Sequence, residues 1–160
     1  MNDTRTFLRH ATATLAYRGA KAIRGAPPEF AHFKAGPSTR TPLEIVAHLG
    51  DLLEVSAARL RGPAKWNPMP PDTWERQVAR FHAALAAIDE ALASNDPIDV
   101  DFGKWFQGPF ADAFTHVGQL TMLRRLSGAP MKGEAYFYAD IQPGRTGPDQ
   151  APADPKFEFD

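Results

Sequence analysis

Between Trp74 and Leu92 the large apolar residues fall at Trp74, Val78, Phe81, Leu85, Ile88 and Leu92, in alternating steps of four and three. Only an α-helix brings such positions onto one stripe, and a stripe repeating this way must be covered by other helices. The segment predicts a helix over about 71–94, opening near Pro71 with Asp72 in its first turn.

Three further segments carry helix signals. The stretch 5–24 is Ala-rich, places Phe7, Ala11, Leu15 and Ala22 on one stripe, and is stopped by Gly25, Pro27 and Pro28. The stretch 41–61 has Thr41 as N-cap, Pro42 at the first helical position and Glu44 completing a capping box, with Gly62 and Pro63 after its end. The stretch 109–127 begins at Pro109, has Arg124 and Arg125 in its last turn, and is closed by Gly128 and Pro130. No segment reads convincingly as a strand. The expected fold is all-α, a four-helix bundle. The connections 25–40 and 95–108 exceed the usual bundle connection of about 2–8 residues and suit long crossovers. The Pro/Gly-rich tail 129–160 holds Tyr136, Phe137, Tyr138, Phe157 and Phe159, and is expected to wrap the bundle.

At 160 residues and 43% hydrophobic content, one domain spanning 1–160 with a proper core is expected. The net charge of −1 and the lack of a Lys/Arg block argue against nucleic acid as a partner. No apolar run is long enough to span a membrane and the first ten residues lack an apolar leader core, so a soluble, cytoplasmic protein is expected. There is no cysteine, which confines any metal site to imidazole, carboxylate and carbonyl ligands.

In the fourth helix Asp112, His116 and Gln119 fall within roughly 60° of arc on one face. Around them Phe110, Phe114, Val117, Leu120, Met122, Leu123 and Leu126 suggest a helix buried on most sides, with Gly118 admitting a close helix crossing. A carboxylate and an imidazole one turn apart can serve one ion from a single helix. His48, at the edge of the second helix's apolar arc, would supply a third ligand, leaving a position open for water or substrate. Two histidines and one carboxylate suit Zn, Ni, Fe or Mn. Blander readings stay open: His48 as a boundary histidine bonded to a carboxylate, and Asp112 as an acid favoured by the helix N-terminus. Gln119 reads as a hydrogen-bonding neighbour outside the ligand set, because amides are poor ligands for these metals. The apolar loop 102–107 can line the cleft mouth or bury Trp105 in the core, and His10, His32 and His82 receive no role.

The segments "TPLEIVAHLGDLLE" (Thr41 to Glu54) and "DAFTHVGQLTMLRRLSG" (Asp112 to Gly128) resemble the DinB-like superfamily of metal-binding four-helix bundles, which includes maleylpyruvate isomerase-like and bacillithiol or mycothiol S-transferase-like proteins. The family pattern is a helix 2 histidine, then on helix 4 His, three residues, His and an Arg-Gly-Gln-like tripeptide. His48 matches the first, His116 the last histidine and Val117-Gly118-Gln119 the tripeptide, while Asp112 stands in place of a histidine. The tail "YFYADIQPGRTG" (Tyr136 to Gly147) is similar to family C-termini.

The resemblance implies a divalent-metal protein with His48, Asp112 and His116 as ligands, a homodimer, and a thiol-dependent transferase or isomerase acting on a small molecule. In that chemistry the metal activates a low-molecular-weight thiol, which fits a chain that has no thiol of its own. The contrasting expectation is a degenerate, metal-free bundle serving as a binding or dimerisation module, with Asp112 paired to His48 or His116. A metal hydrolase is a third expectation, weakened by the absence of another acid or base aimed at the site.

Overall fold

In the computed structural model, which describes residues 3–160, the heptad-like seam forms α3 (Trp74–Ala93), capped by the Thr73 hydroxyl accepting from the Arg76 N–H. The helix starts at Trp74, where Pro70 and Pro71 keep the preceding chain extended and Thr73 caps it, the Asp72 carboxylate being engaged by Arg76. Phe81, Leu85, Ile88 and Leu92 are fully buried. α1 (Asp3–Ile23) and α2 (Pro42–Arg61) complete the first three helices, and α2 opens with the expected capping box between Thr41 and Glu44.

The fourth bundle helix is α5 (Ala111–Leu126). Its lead-in is helical rather than a loop: α4 (Phe102–Trp105) is capped by Asp101, and a π-type turn over Phe106–Phe110 follows. Gly108, at φ −85° and ψ −116°, breaks the path, and Pro109 has no N–H to continue it. Trp105 is buried, donates its indole N–H to the Ser56 carbonyl at 2.9 Å and stacks on Phe110. Gln107 and Gly108 line a surface cleft, so the segment 102–107 does both things its composition allows.

α3 packs on α1 and α2, and α5 packs on the same two helices, which places α1 diagonal to α2 and α3 diagonal to α5. The two long connections are therefore the ones that cross the bundle, and the fold is the all-α four-helix bundle expected. α1 meets α3 closely at Gly19, where an added Cβ would lie 2.5 Å from the Phe81 ring. Arg9 forks onto Asp89 across the same pair, with both bonds at 2.9 Å.

Two expectations about helix faces are corrected. Phe7 is 63% exposed, and Leu8 takes the core position beside Leu15 and Ala22. In an Ala-rich helix several faces are apolar, so the stripe's phase is decided by partners rather than by its own pattern. Gly118 makes no close crossing: it is exposed and a Cβ there would meet nothing within 4 Å.

The tail wraps the bundle. β1 (Gly133–Glu134) and β2 (Glu158–Phe159) pair antiparallel, and Glu134 accepts from Tyr17 and Lys21 of α1, with Lys21 also reaching Glu158. On α3 the buried His82 donates from Nδ1 to the Thr146 carbonyl at 2.9 Å, a tail anchor that reading the sequence left without a role. Burial pushes the His82 pKa below the ordinary histidine range, outweighing the opposing effects of the Thr146 carbonyl and Asp149. The unfolded chain therefore takes up this proton more readily. The contribution is complete above the ordinary value of about 6.5 and is lost as pH falls below it. Accordingly, the urea midpoint should drop between about pH 7 and pH 5.5, and drop less in His82→Gln, whose amide keeps a donor but cannot titrate. An equal drop in both proteins would show that His82 stays uncoupled from folding.

Candidate metal centre

α2 and α5 lie side by side, and each turns one edge toward a shared cleft. From α2 comes His48, half-buried, one turn after Glu44; from α5 come Asp112 and, one turn later, the buried His116. Their ligating atoms all lie within 4.8 Å of one another. The Asp112 Oδ2 is 3.5 Å from His116 Nε2 and 3.7 Å from His48 Nε2, and the two imidazoles meet edge to face with centroids 4.7 Å apart. Ligands about 2.0–2.1 Å from a tetrahedral ion stand roughly 3.3 Å apart, so the spacing is close to that of a shared coordination sphere.

No hydrogen bond joins Asp112 to either histidine. The carboxylate instead accepts from Thr115 Oγ1 through Oδ1 at 3.2 Å, leaving Oδ2 toward the imidazoles. His116 Nδ1 lies 2.9 Å from Gln119 Oε1. With the amide oxygen toward the ring, Nδ1 carries the hydrogen and donates it. Nε2 of the neutral ring then points a lone pair at the carboxylate. Two acceptors face each other there, an arrangement that a cation between them, or a proton on the ring, relieves. Gln119 thus holds His116 in the ligating tautomer from outside the ligand set.

The His48 pKa is held below the ordinary histidine range, first by burial, then by repulsion from His116 and Arg40, against the attraction of Asp112 and Asp51. Below-normal basicity keeps the imidazole neutral at physiological pH, the form a metal requires. His48 is also braced by a residue that the sequence did not single out. The Trp66 ring stands edge-on to it, with centroids 5.8 Å apart. Trp66 belongs to the extended connection after α2, which is tied back to that helix where the Met69 N–H donates to Asp51 at 3.0 Å. Asp51 is itself gripped by Arg80 at 2.6 Å. A lone tryptophan in a Pro-rich connection carries no periodic signal, so only the fold reveals its place.

The centre is more open than a helix apolar on most sides would allow. The Asp112 side chain is 46% exposed, and Met122 and Leu126 are 55% and 58% exposed on the cleft side of α5. Two clefts meet at Asp112. One, of about 640 Å³, is lined by Arg40, Ile45, His48, His116, Met122 and Leu126; the other, of about 690 Å³, by Val55, Arg59, Trp66, Gln107 and Thr115. Both fall in the size range of small-molecule sites. His10 and His32 are exposed and stand apart from this grouping, as expected.

The donor set fits a borderline divalent ion: two imidazoles and one carboxylate, with open space on two sides for further ligands. Replacing Gln119 by Ala removes the bond that orients His116 and should weaken zinc binding by about 10- to 100-fold while leaving the saturated stoichiometry unchanged. Competition with a chromogenic chelator measures this, and an unchanged affinity would remove Gln119 from the account.

No protein-family model, curated protein or solved structure matches this chain. Among the described residues, no helix is long and apolar enough to cross a membrane.

Proposed function

We propose that this chain is a DinB-like protein that binds one divalent metal ion through His48, Asp112 and His116 and uses it in thiol-dependent transfer or isomerisation of a small molecule. The observation carrying the metal reading is the convergence of three ligand-type groups that make no hydrogen bonds to one another, with His116 held by Gln119 so that Nε2 is free. The ion would activate a low-molecular-weight thiol by favouring its thiolate form.

The chain's own contributions are positional. His48 and His116 present ring nitrogens toward one point, and Trp66 stands edge-on to His48. The two clefts meeting at Asp112 give separate approaches to one point, which suits a reaction between two small molecules. A chain without cysteine needs its thiol supplied from outside. A homodimer in the cytoplasm belongs to the same reading and rests on the resemblance; sedimentation as a 17.6 kDa monomer at high micromolar concentration would remove the dimer from it.

The missing cysteine also makes the test clean. In cobalt-substituted protein, any sulfur-to-metal charge-transfer band must come from added thiol. Glutathione or cysteine should produce such a band in the near ultraviolet, and His116→Ala should not show it. Cobalt bound without any thiol band would refute the thiol chemistry and leave a metal site. A protein that retains no cobalt would favour a metal-free binding module.

A further inference from the structure

Among the described residues, most arginine side chains are engaged, among them Arg9 with Asp89, Arg61 with Glu90, Arg80 with Asp51 and Glu54, and Arg124 with backbone carbonyls. Arg40, Arg59 and Arg125 make no hydrogen bond, ion pair or ring contact, and each lines a cleft. Arg40 lies in the larger-faced apolar cleft beside the metal centre, close enough to His48 to disfavour its protonation. Glu44, in the first turn of the helix that follows and close enough to feel the charge of Arg40, spends its carboxylate on capping Thr41. In the same cleft, Ile45, Met122, Leu123 and Leu126 form a wall of hydrocarbon and thioether, and Met122 and Leu126 leave more than half of their surface in water.

An unengaged guanidinium at the edge of an apolar wall selects a ligand with matching ends. We propose that this cleft binds an amphipathic monoanion, a carboxylate carried on an aryl or alkyl body, with the carboxylate on Arg40 and the body against Met122 and Leu126. The planar guanidinium can take both carboxylate oxygens at once, and no carboxylate is ion-paired with it among the described residues. The wall is an apolar surface of the same cleft that such a body can cover. The proposal does not depend on the metal reading: the contacts it uses are Arg40, Met122 and Leu126, while His48 and His116 line another part of the same cleft.

The probe is 4-phenylbutyrate, with 4-phenyl-1-butanol as its uncharged counterpart, titrated calorimetrically into zinc-loaded and metal-stripped protein. The acid should bind about tenfold more tightly than the alcohol in both forms, as expected for one charge-assisted contact at a partly exposed site. Arg40→Gln should remove most of that preference, whereas Arg59→Gln, in the neighbouring cleft, should leave it. Leu126→Asn should weaken both probes. Equal binding of acid and alcohol, a preference surviving Arg40→Gln or lost in Arg59→Gln, or no binding of either probe at low-millimolar concentration would overturn the proposal. A preference present only with zinc would mean that the ion, not Arg40, reads the carboxylate; this too overturns the proposal while supporting the metal reading. A protein that takes up no zinc yet keeps the Arg40-dependent preference gives the converse.

Discussion

Saturating zinc is expected to raise the melting temperature of the metal-stripped protein by on the order of 10 °C, and His116→Ala to lose nearly all of that gain. An ion that binds only the folded chain stabilises it by about 4 kcal/mol when present at a thousand times its dissociation constant. In a domain of this size each kcal/mol moves the midpoint by roughly 2–4 °C. His116 is the ligand to remove because it is the most buried of the three and the one oriented by a neighbour, Gln119. Comparing each protein with and without zinc separates the loss of the ion from any cost of the substitution itself. In a metal-free bundle the result would be different: no zinc response in either protein, and His48→Ala destabilising in every buffer because Asp112 loses its neighbour.

The second large effect lies at the opposite end of α5. Arg124 is 5% exposed and has no carboxylate partner; its guanidinium instead donates to the carbonyls of Ala129 at 2.6 Å, Ala22 and Arg24 at 3.0 Å, and Gly25 at 3.4 Å. Three of these carbonyls close the C-terminal turn of α1, where helix acceptors lack partners and the helix dipole favours a cation. One side chain thus fastens the ends of α1 and α5 together. Burial pulls the Arg124 pKa below the ordinary arginine value, so the carbonyls hold a cation at some desolvation cost. Arg124→Leu keeps the apolar stem and strands the acceptors, and should cost about 3 kcal/mol in urea unfolding. Arg124→Lys should recover part of this, since an ammonium reaches fewer acceptors than a planar fork. A loss under about 1 kcal/mol for Arg124→Leu would mean that water satisfies those carbonyls equally well.

Arg124 illustrates where sequence reading stops. Its place near a helix C-terminus is visible in the sequence, but apart from Ala129 its partners lie about a hundred residues away, and nothing local announces them. Local signals performed well where local physics decides. The capping box at Thr41 and Glu44 set the start of α2, and the seam from Trp74 to Leu92 identified α3 and its buried face. The pairing of Asp112 with His116 follows from helical pitch alone, and the edge position of His48 was enough to bring it forward as their companion.

Longer-range choices were not legible. The phase of α1 depends on which of its small residues meets Phe81, and Gly19 rather than Phe7 determines that contact. The exposed flank of α5 looked like core because Met122 and Leu126 are apolar; the structure leaves them facing a cleft instead. Trp66 reaches His48 from a connection that is tied back to α2 by the bond between Asp51 and the Met69 backbone, eighteen residues on. Both of the last two omissions concern the walls of the site, which makes the ligand-type residues easier to find than the space around them.

The central claim is that His48, Asp112 and His116 hold one divalent ion, and metal stoichiometry tests it most directly. The protein is purified without a nickel column, stripped with chelator, reloaded with zinc, desalted and subjected to elemental analysis. One zinc per chain is predicted for the wild type, with none retained by the His48→Ala, His116→Ala double variant, whose retained fold is checked by circular dichroism. A wild-type protein that keeps no zinc, or a folded double variant that keeps as much as the wild type, would contradict the claim.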